Sequence, residues 1–207
     1  MRIFIRHKFR WIRCRNMSWL VLVRHSAVAV DTNRPSFTWA LSEDGRSRCR
    51  TFAPLLSPYT PARFVASTEP KAMETARLLA EFLQCSWETA ANLHEHSRRT
   101  VSWFAKRTDF EAAVARFFRL PESLVFGEET AVQAQTRFTH AVHSVLASYP
   151  NDSLAIVTHG TVLTLFIGQF NPEISLFDFW QMLTLPCAFV LNRNNFRLKT
   201  AVYFPQI

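Results

Sequence analysis

The sequence predicts an α/β domain built as a three-layer sandwich, with a mostly parallel central sheet flanked by helices. Three observations lead there. Short apolar runs alternate along the chain with stretches whose apolar residues recur at three-to-four spacing, the order of a layered α/β domain. The two most apolar runs, Trp19 to Val23 and Leu154 to Val157, lack the polar alternation of a strand that faces water on one side. Finally, 207 residues with 48% hydrophobic and 19% charged side chains can bury a sizeable core, which excludes a disordered chain and leaves little room for two full domains.

Trp19 to Val23 forms the first strand, ending in Arg24 and His25. Pro35, Asn33 and Ser36 make Asp31 to Trp39 a loop, and Ser42, Gly45 and Arg46 open a helix to about Leu56, its end punctuated by Pro54, Pro58 and Pro61. Phe64 to Ala66 is a second short strand. Ser67 or Thr68 then caps a helix with Pro70 in its first turn and Ala72, Met73, Ala76, Leu79, Ala80 and Leu83 on one face. Ser86 to Thr89 is a further strand, leading to Leu93, His94, Glu95 and His96, a loop through Arg99 and a helix over about 109–118. Thr130 and Gln133 make a capping box for a long helix through Val132, Phe138, Val142, Val145 and Leu146, stopped by Pro150. Leu154 to Val157 is the next strand, and the chain returns as a helix from Thr161. Cys187 to Leu191 and Phe196 to Tyr203 close the sheet as an antiparallel pair.

The formal charge of +8 and isoelectric point near 9.9 invite a polyanion partner. Residues 1–16 carry Arg2, Arg6, Lys8, Arg10, Arg13 and Arg15 without one acid, leaving the rest of the chain at only +2. Met17 then begins MSWLVLVRHS, a natural start for the first strand. The expectation is therefore a basic extension over 1–16 that is not native, and one domain over 17–207. A basic tail for nucleic acid or lipid and an Arg-rich targeting peptide are the alternatives. For the body, no nucleic acid and no membrane partner are expected. The longest apolar stretch is broken by Thr158 to Thr161, and four cysteines at 35, 36 and 102 residue intervals form no zinc knuckle or disulfide framework, so a reducing cytoplasm is the default.

Two apolar strands end alike, one in Arg24-His25 and the other in Thr158-His159-Gly160. Sites in open α/β sheets gather at the carboxyl ends of strands, so two distant histidines can meet there. Lys71 lies in the first turn of a helix, where free N–H groups favour an anion; Arg24, Lys71 and that terminus would together hold a phosphoryl group. Glu95 follows an apolar approach and could reach the same crevice as a proton donor. Each residue also has a plainer reading: a structural histidine, a solvated lysine, a surface carboxylate. His94 and His96 could ligate a metal from one strand face, but no carboxylate cluster completes a site.

Four blocks in order, LVRHS at 22–26, STEPKAMETA at 67–76, LHEH at 93–96 and THGT at 158–161, resemble the histidine phosphatase superfamily in its phosphoglycerate mutase-like branch. The resemblance covers about residues 19–165 and implies a phosphoglycerate mutase-like fold. It implies that His25 is the nucleophile, that Arg24 and His159 bind the transferred phosphoryl group, and that Glu95 is the proton donor; Lys71 and Ser26 are expected to add contacts to the phosphate. Attack by His25 needs a neutral imidazole, which Arg24 and Lys71 would favour from a reference pKa of about 6.5. The product is a phosphohistidine, and no metal or organic cofactor is required.

Three departures qualify it. Ser26 and Ala27 replace the Gly and Glu or Gln that commonly follow the histidine. Lys71 stands where the family has a second phosphate-binding Arg, keeping the charge and losing the fork, a loss for which Arg98 or Arg99 could compensate. The segment from Glu95 to His159 is shorter than in the mutases. The expectation is a metal-independent phosphatase for a small phosphomonoester, with a non-catalytic phospholigand-binding or regulatory protein as the alternative. Trp39, Trp103 and Phe104 at the entrance would suit an apolar or aromatic leaving group.

Overall fold

The computed structural model describes residues 19–205; the expectations for residues 1–16 and for Met17 lie outside the described residues. Six strands, β1 (Trp19–Arg24), β2 (Arg63–Ala66), β3 (Ser86–Thr89), β4 (Leu154–Thr158), β5 (Cys187–Asn192) and β6 (Leu198–Tyr203), form one sheet in the order β3-β2-β4-β1-β5-β6. The first four are mutually parallel; β5 runs antiparallel to β1 and β6 to β5. The expected fold class is therefore the observed one.

The continuous apolar runs have a simple cause. In β1, Leu20 and Leu22 join one hydrophobic core while Val21 and Val23 join another, because successive side chains point to opposite faces. On one face lie α1 (Glu43–Leu56) and α2 (Pro70–Leu83), packed through Phe52, Leu56, Ala72, Ala76 and Leu79. The other face carries α3 (Arg107–Arg119), α4 (Ala131–Ser148), α5 (Gly160–Phe170) and α6 (Leu176–Gln181), with Phe117, Phe138 and Phe166 at its centre. The Thr130–Gln133 capping box forms as expected.

Two details differ from expectation. Helix α6 is too short and too apolar to have shown a period. Helix α2 is capped at Glu69 rather than at Ser67 or Thr68, since Pro70 occupies its first position and Ser67 faces His159 instead. Helix α1 ends at Leu56 as expected, with Pro54 inside its last turn. Gly45 in α1 is required by packing: a Cβ there would stand 1.9 Å from the Ala27 carbonyl oxygen, so the loop after His25 rests directly on the helix backbone.

Candidate active site

The carboxyl ends of β1, β2 and β4 lie side by side, with Arg24 level with Thr158 and Ala66 level with Val157. The His25 N–H donates to the Thr158 carbonyl at 3.0 Å, and the next residue along β4 is His159. The two imidazoles thus come together, 5.3 Å between ring centres, both buried. The Thr158 hydroxyl donates to the Leu93 carbonyl at 2.8 Å, which draws the Leu93–His96 segment to the same strand end.

His25 Nδ1 lies 2.8 Å from the Ser26 carbonyl. A carbonyl only accepts, so Nδ1 carries the proton and Nε2 keeps its lone pair. Burial, followed by the fields of His159, Lys71 and Arg24, holds the His25 pKa well below the ordinary value, so the ring is neutral at pH 7. Sequence reasoning credited the cations with this; desolvation is the larger cause.

Arg24 donates from one terminal nitrogen to the Leu183 carbonyl at 2.7 Å, while its Nε is buried without a partner. Gly160 permits this placement, since a Cβ there would lie 3.2 Å from that Nε and 3.3 Å from Cζ. His159 is fully buried, with Nε2 2.9 Å from the Ser67 hydroxyl and 3.4 Å from a Glu69 carboxylate oxygen, and its Nδ1 has no partner. Burial, reinforced by Lys71, holds its pKa well below the ordinary value against the opposing field of Glu95.

Glu95 reaches the crevice in a particular way. Its carboxylate accepts the backbone N–H groups of His96 at 2.9 Å, Thr161 at 3.1 Å and Val162 at 3.2 Å, closing the N-terminus of α5. Burial raises its pKa, but His159, Arg98 and these N–H groups together outweigh burial and leave it lowered. The group expected to donate a proton is thus an ionised carboxylate in this state.

Lys71 is where the residue-level expectation needs correction. Its ammonium is buried, 2.6 Å from Glu69 and 2.7 Å from the Ser36 carbonyl, so its charge is matched inside the protein. Glu69, which the sequence reading did not single out, is the hub: its other oxygen accepts the Glu95 N–H at 3.0 Å and faces His159. The signal was present as an acid two residues before the lysine, across a proline that leaves it at an extended cap position. Ser26 is corrected as well. Its one hydroxyl proton goes to the Gly45 carbonyl at 2.8 Å and its N–H to the Thr75 hydroxyl at 3.0 Å, so neither is left to bind an anion. Both instead fix the turn that carries His25.

Of the two arginines weighed as compensating cations, Arg98 lies within electrostatic reach of Glu95 and Glu69, with its guanidinium over the Phe110 ring. Arg99 sits over Phe37. His96 packs against Phe117 and Phe126 and pairs with the Glu129 carbonyl, and both it and His94 line a cavity of about 330 Å³ together with Glu69, Glu95 and Arg98. Among the described residues no group of three or more His, Cys, Asp or Glu is assembled to hold a metal ion.

A second residue missed by the sequence reading fastens the Glu95 segment. Arg137 on α4 donates to the carbonyls of Asn92, His94 and Glu95 and pairs with Glu129 at 2.6 Å, both side chains largely buried. Its only sequence signal was a charge next to the apolar face of a helix.

The fold has counterparts among solved structures. Mycobacterial glucosyl-3-phosphoglycerate phosphatase, solved with inorganic phosphate, is 20% identical; the match covers 91% of this chain and 98% of that one, with a TM-score of 0.67. The YhfR protein of Bacillus stearothermophilus is 20% identical over 92% and 98%, also with a TM-score of 0.67. Phosphoserine phosphatase from Entamoeba histolytica, solved with 3-phosphoglyceric acid, is 13% identical over 90% and 97%, with a TM-score of 0.68. At these identities the likeness concerns the fold. No curated protein matches the sequence significantly. The family model that does match runs over residues 20–198, from the strand that presents His25 through the one that presents His159 to the start of β6, and by that match the chain belongs to the histidine phosphatase superfamily, branch 1.

Proposed function

We propose that this protein is a phosphomonoesterase that transfers the phosphoryl group of a small ester to His25 and then to water. The observation that carries this reading is the buried pair of imidazoles in which His25 is neutral with its lone pair on Nε2, beside two buried nitrogens without partners, Arg24 Nε, which is a donor, and His159 Nδ1. A phosphoryl group placed there would meet a nucleophile and charged or polar contacts for its equatorial oxygens, the two things phosphoryl transfer asks of a protein. Nε2 attacks phosphorus, the ester P–O bond breaks, and the departing oxygen takes a proton from Glu95. Water then attacks phosphorus while Glu95 takes its proton, the P–N bond breaks with its electron pair returning to Nε2, and inorganic phosphate leaves.

Because Glu95 rests ionised, the proton it gives must arrive with the substrate. Phosphomonoesters lose their second proton near pH 6, so the monoanion can supply it, and a bound phosphoryl charge raises the affinity of Glu95 for it. The short segment between Glu95 and His159 supports hydrolysis over return of the phosphoryl group to a second hydroxyl. The matched charge of Lys71 and the ionised Glu95 favour one other reading, a phospholigand-binding protein without turnover. Purified protein given 4-nitrophenyl phosphate in excess chelator separates the two. The expected result is steady release of phosphate, reduced about 10³-fold or more in His25→Ala; no release by the unaltered protein, or full activity in the variant, overturns the proposal.

A further inference from the structure

A second cavity of about 640 Å³ adjoins the one at Glu95, the two sharing Arg34, Ser36, Arg98 and Arg99 as walls. Its chemistry is unlike the phosphoryl end. Arg107 joins those arginines to make four in its lining, and no acidic side chain lines it. Of these, Arg107 is paired with Glu111, whereas Arg34 and Arg99 have no acidic partner among the described residues. Four aromatic residues complete the wall: Trp39, Trp103, Phe104 and Phe110. Trp39 is fixed, its indole N–H shared between the Asp31 and Arg34 carbonyls at 3.0 Å each. Trp103 stands 5.4 Å from it and is 55% exposed, a large apolar face open to the cavity side of the loop. The loop itself is held, since the Glu128 carboxylate accepts the N–H groups of Arg99 at 2.7 Å and Thr100 at 2.8 Å.

We propose that this cavity receives the alcohol half of the phosphomonoester, and that this half carries a planar ring and a second anionic group. The ring lies against Trp103, and the anion, a carboxylate or a second phosphoryl group, lies between Arg34 and Arg99. Exposed cations without acidic partners, gathered at one cavity wall, select for negative charge, and an exposed indole beside them selects for a flat apolar surface. The inference rests on the phosphatase reading for the orientation of the ligand, and its test is independent of turnover.

Binding of non-hydrolysable phosphonates to the full chain is measured by calorimetry. Methylphosphonate, benzylphosphonate, 4-carboxybenzylphosphonate and 1,4-xylylenediphosphonate add in turn a ring, a carboxylate and a second phosphoryl group. At least one of the last two should bind about tenfold or more tighter than benzylphosphonate, which in turn exceeds methylphosphonate, and the tighter of the two identifies the second anion. The exposed pair Arg34→Ser/Arg99→Ser should cut the gain from the second anion to about threefold or less, and Trp103→Ala the gain from the ring. Equal affinities for benzylphosphonate and both doubly charged ligands overturn the inference even if the protein turns over 4-nitrophenyl phosphate. Selective binding without any turnover overturns the phosphatase reading and leaves the cavity assignment standing.

Discussion

The strand ends that carry His25 and His159 and the loop-walled cavity beyond Glu95 are neighbours built by different means. At the strand ends every group is set by the sheet: the register of β1 against β4 fixes where the two imidazoles stand, and the hydrogen bonds of Ser26 go to α1 and α2. The cavity wall is held by side chains reaching across loops, by Glu128 on 97–100 and by the Trp39 indole on 31–34. A sheet-built site is pre-organised by the fold and can keep ionisable groups buried in an unfavourable protonation state; a loop-built wall can change its chemistry without disturbing the sheet. On the proposed reading, general chemistry belongs to the first region and choice of substrate to the second.

Arg137 is the joint between the two, and removing it should break the comparison most severely. Arg137→Ala leaves Glu129 buried without its cation and three carbonyls without their donor, an expected loss of about 3 kcal/mol or more in urea unfolding. Activity of the folded fraction should fall because Glu95 loses its anchor, while a variant as stable as the parent would mean that the segment is held elsewhere. Gly160→Ala acts only on the strand-end region. The added methyl group presses on the Arg24 guanidinium, so kcat/KM should drop about tenfold with stability changed by about 1 kcal/mol or less. An equal loss of stability and activity would show Gly160 to be a packing residue.

The smallest effect is a slope. His25 and His159 have folded pKa values well below their unfolded value near 6.5, so below about pH 6.5 the unfolded state binds more protons than the folded one. Stability should therefore fall as the pH drops below that value, by at most about 1.4 kcal/mol per pH unit for each of the two rings. The lowered carboxyl of Glu95 adds its own loss only at lower pH, below its unfolded value near 4.3. His25→Phe should reduce the slope by one proton, and an unchanged slope would mean that His25 titrates normally.

The strand-end region was legible in the sequence because burial on both faces makes continuous apolar runs, and because a strand's last residues announce themselves by the change to Arg-His or Thr-His-Gly. Helices with caps and period, α2 and α4 above all, were legible for similar local reasons. Glu69 was not, since whether an acid meets a lysine two residues on depends on the extended cap that Pro70 imposes and on Ser36 arriving from a distant loop. That one contact converts Lys71 from an expected phosphate ligand into half of a buried pair. The meeting of Trp39 with Trp103, and of both with the arginines, joins segments 64 residues apart and left no periodic trace. Likewise the resting charge of Glu95 follows from His159 and Arg98 arriving beside it and from the N–H groups that α5 presents to it, which no motif encodes.

The central claim is that His25 carries the phosphoryl group, and the most direct measurement is to trap it. A brief pulse of radiolabelled phosphomonoester, quenched in base, should leave label on the protein that survives alkali, is lost in acid, maps to the peptide containing His25 and is absent from His25→Ala. Label that maps elsewhere, or steady turnover by the unaltered protein with no labelled intermediate while His25→Ala remains active, would contradict the account.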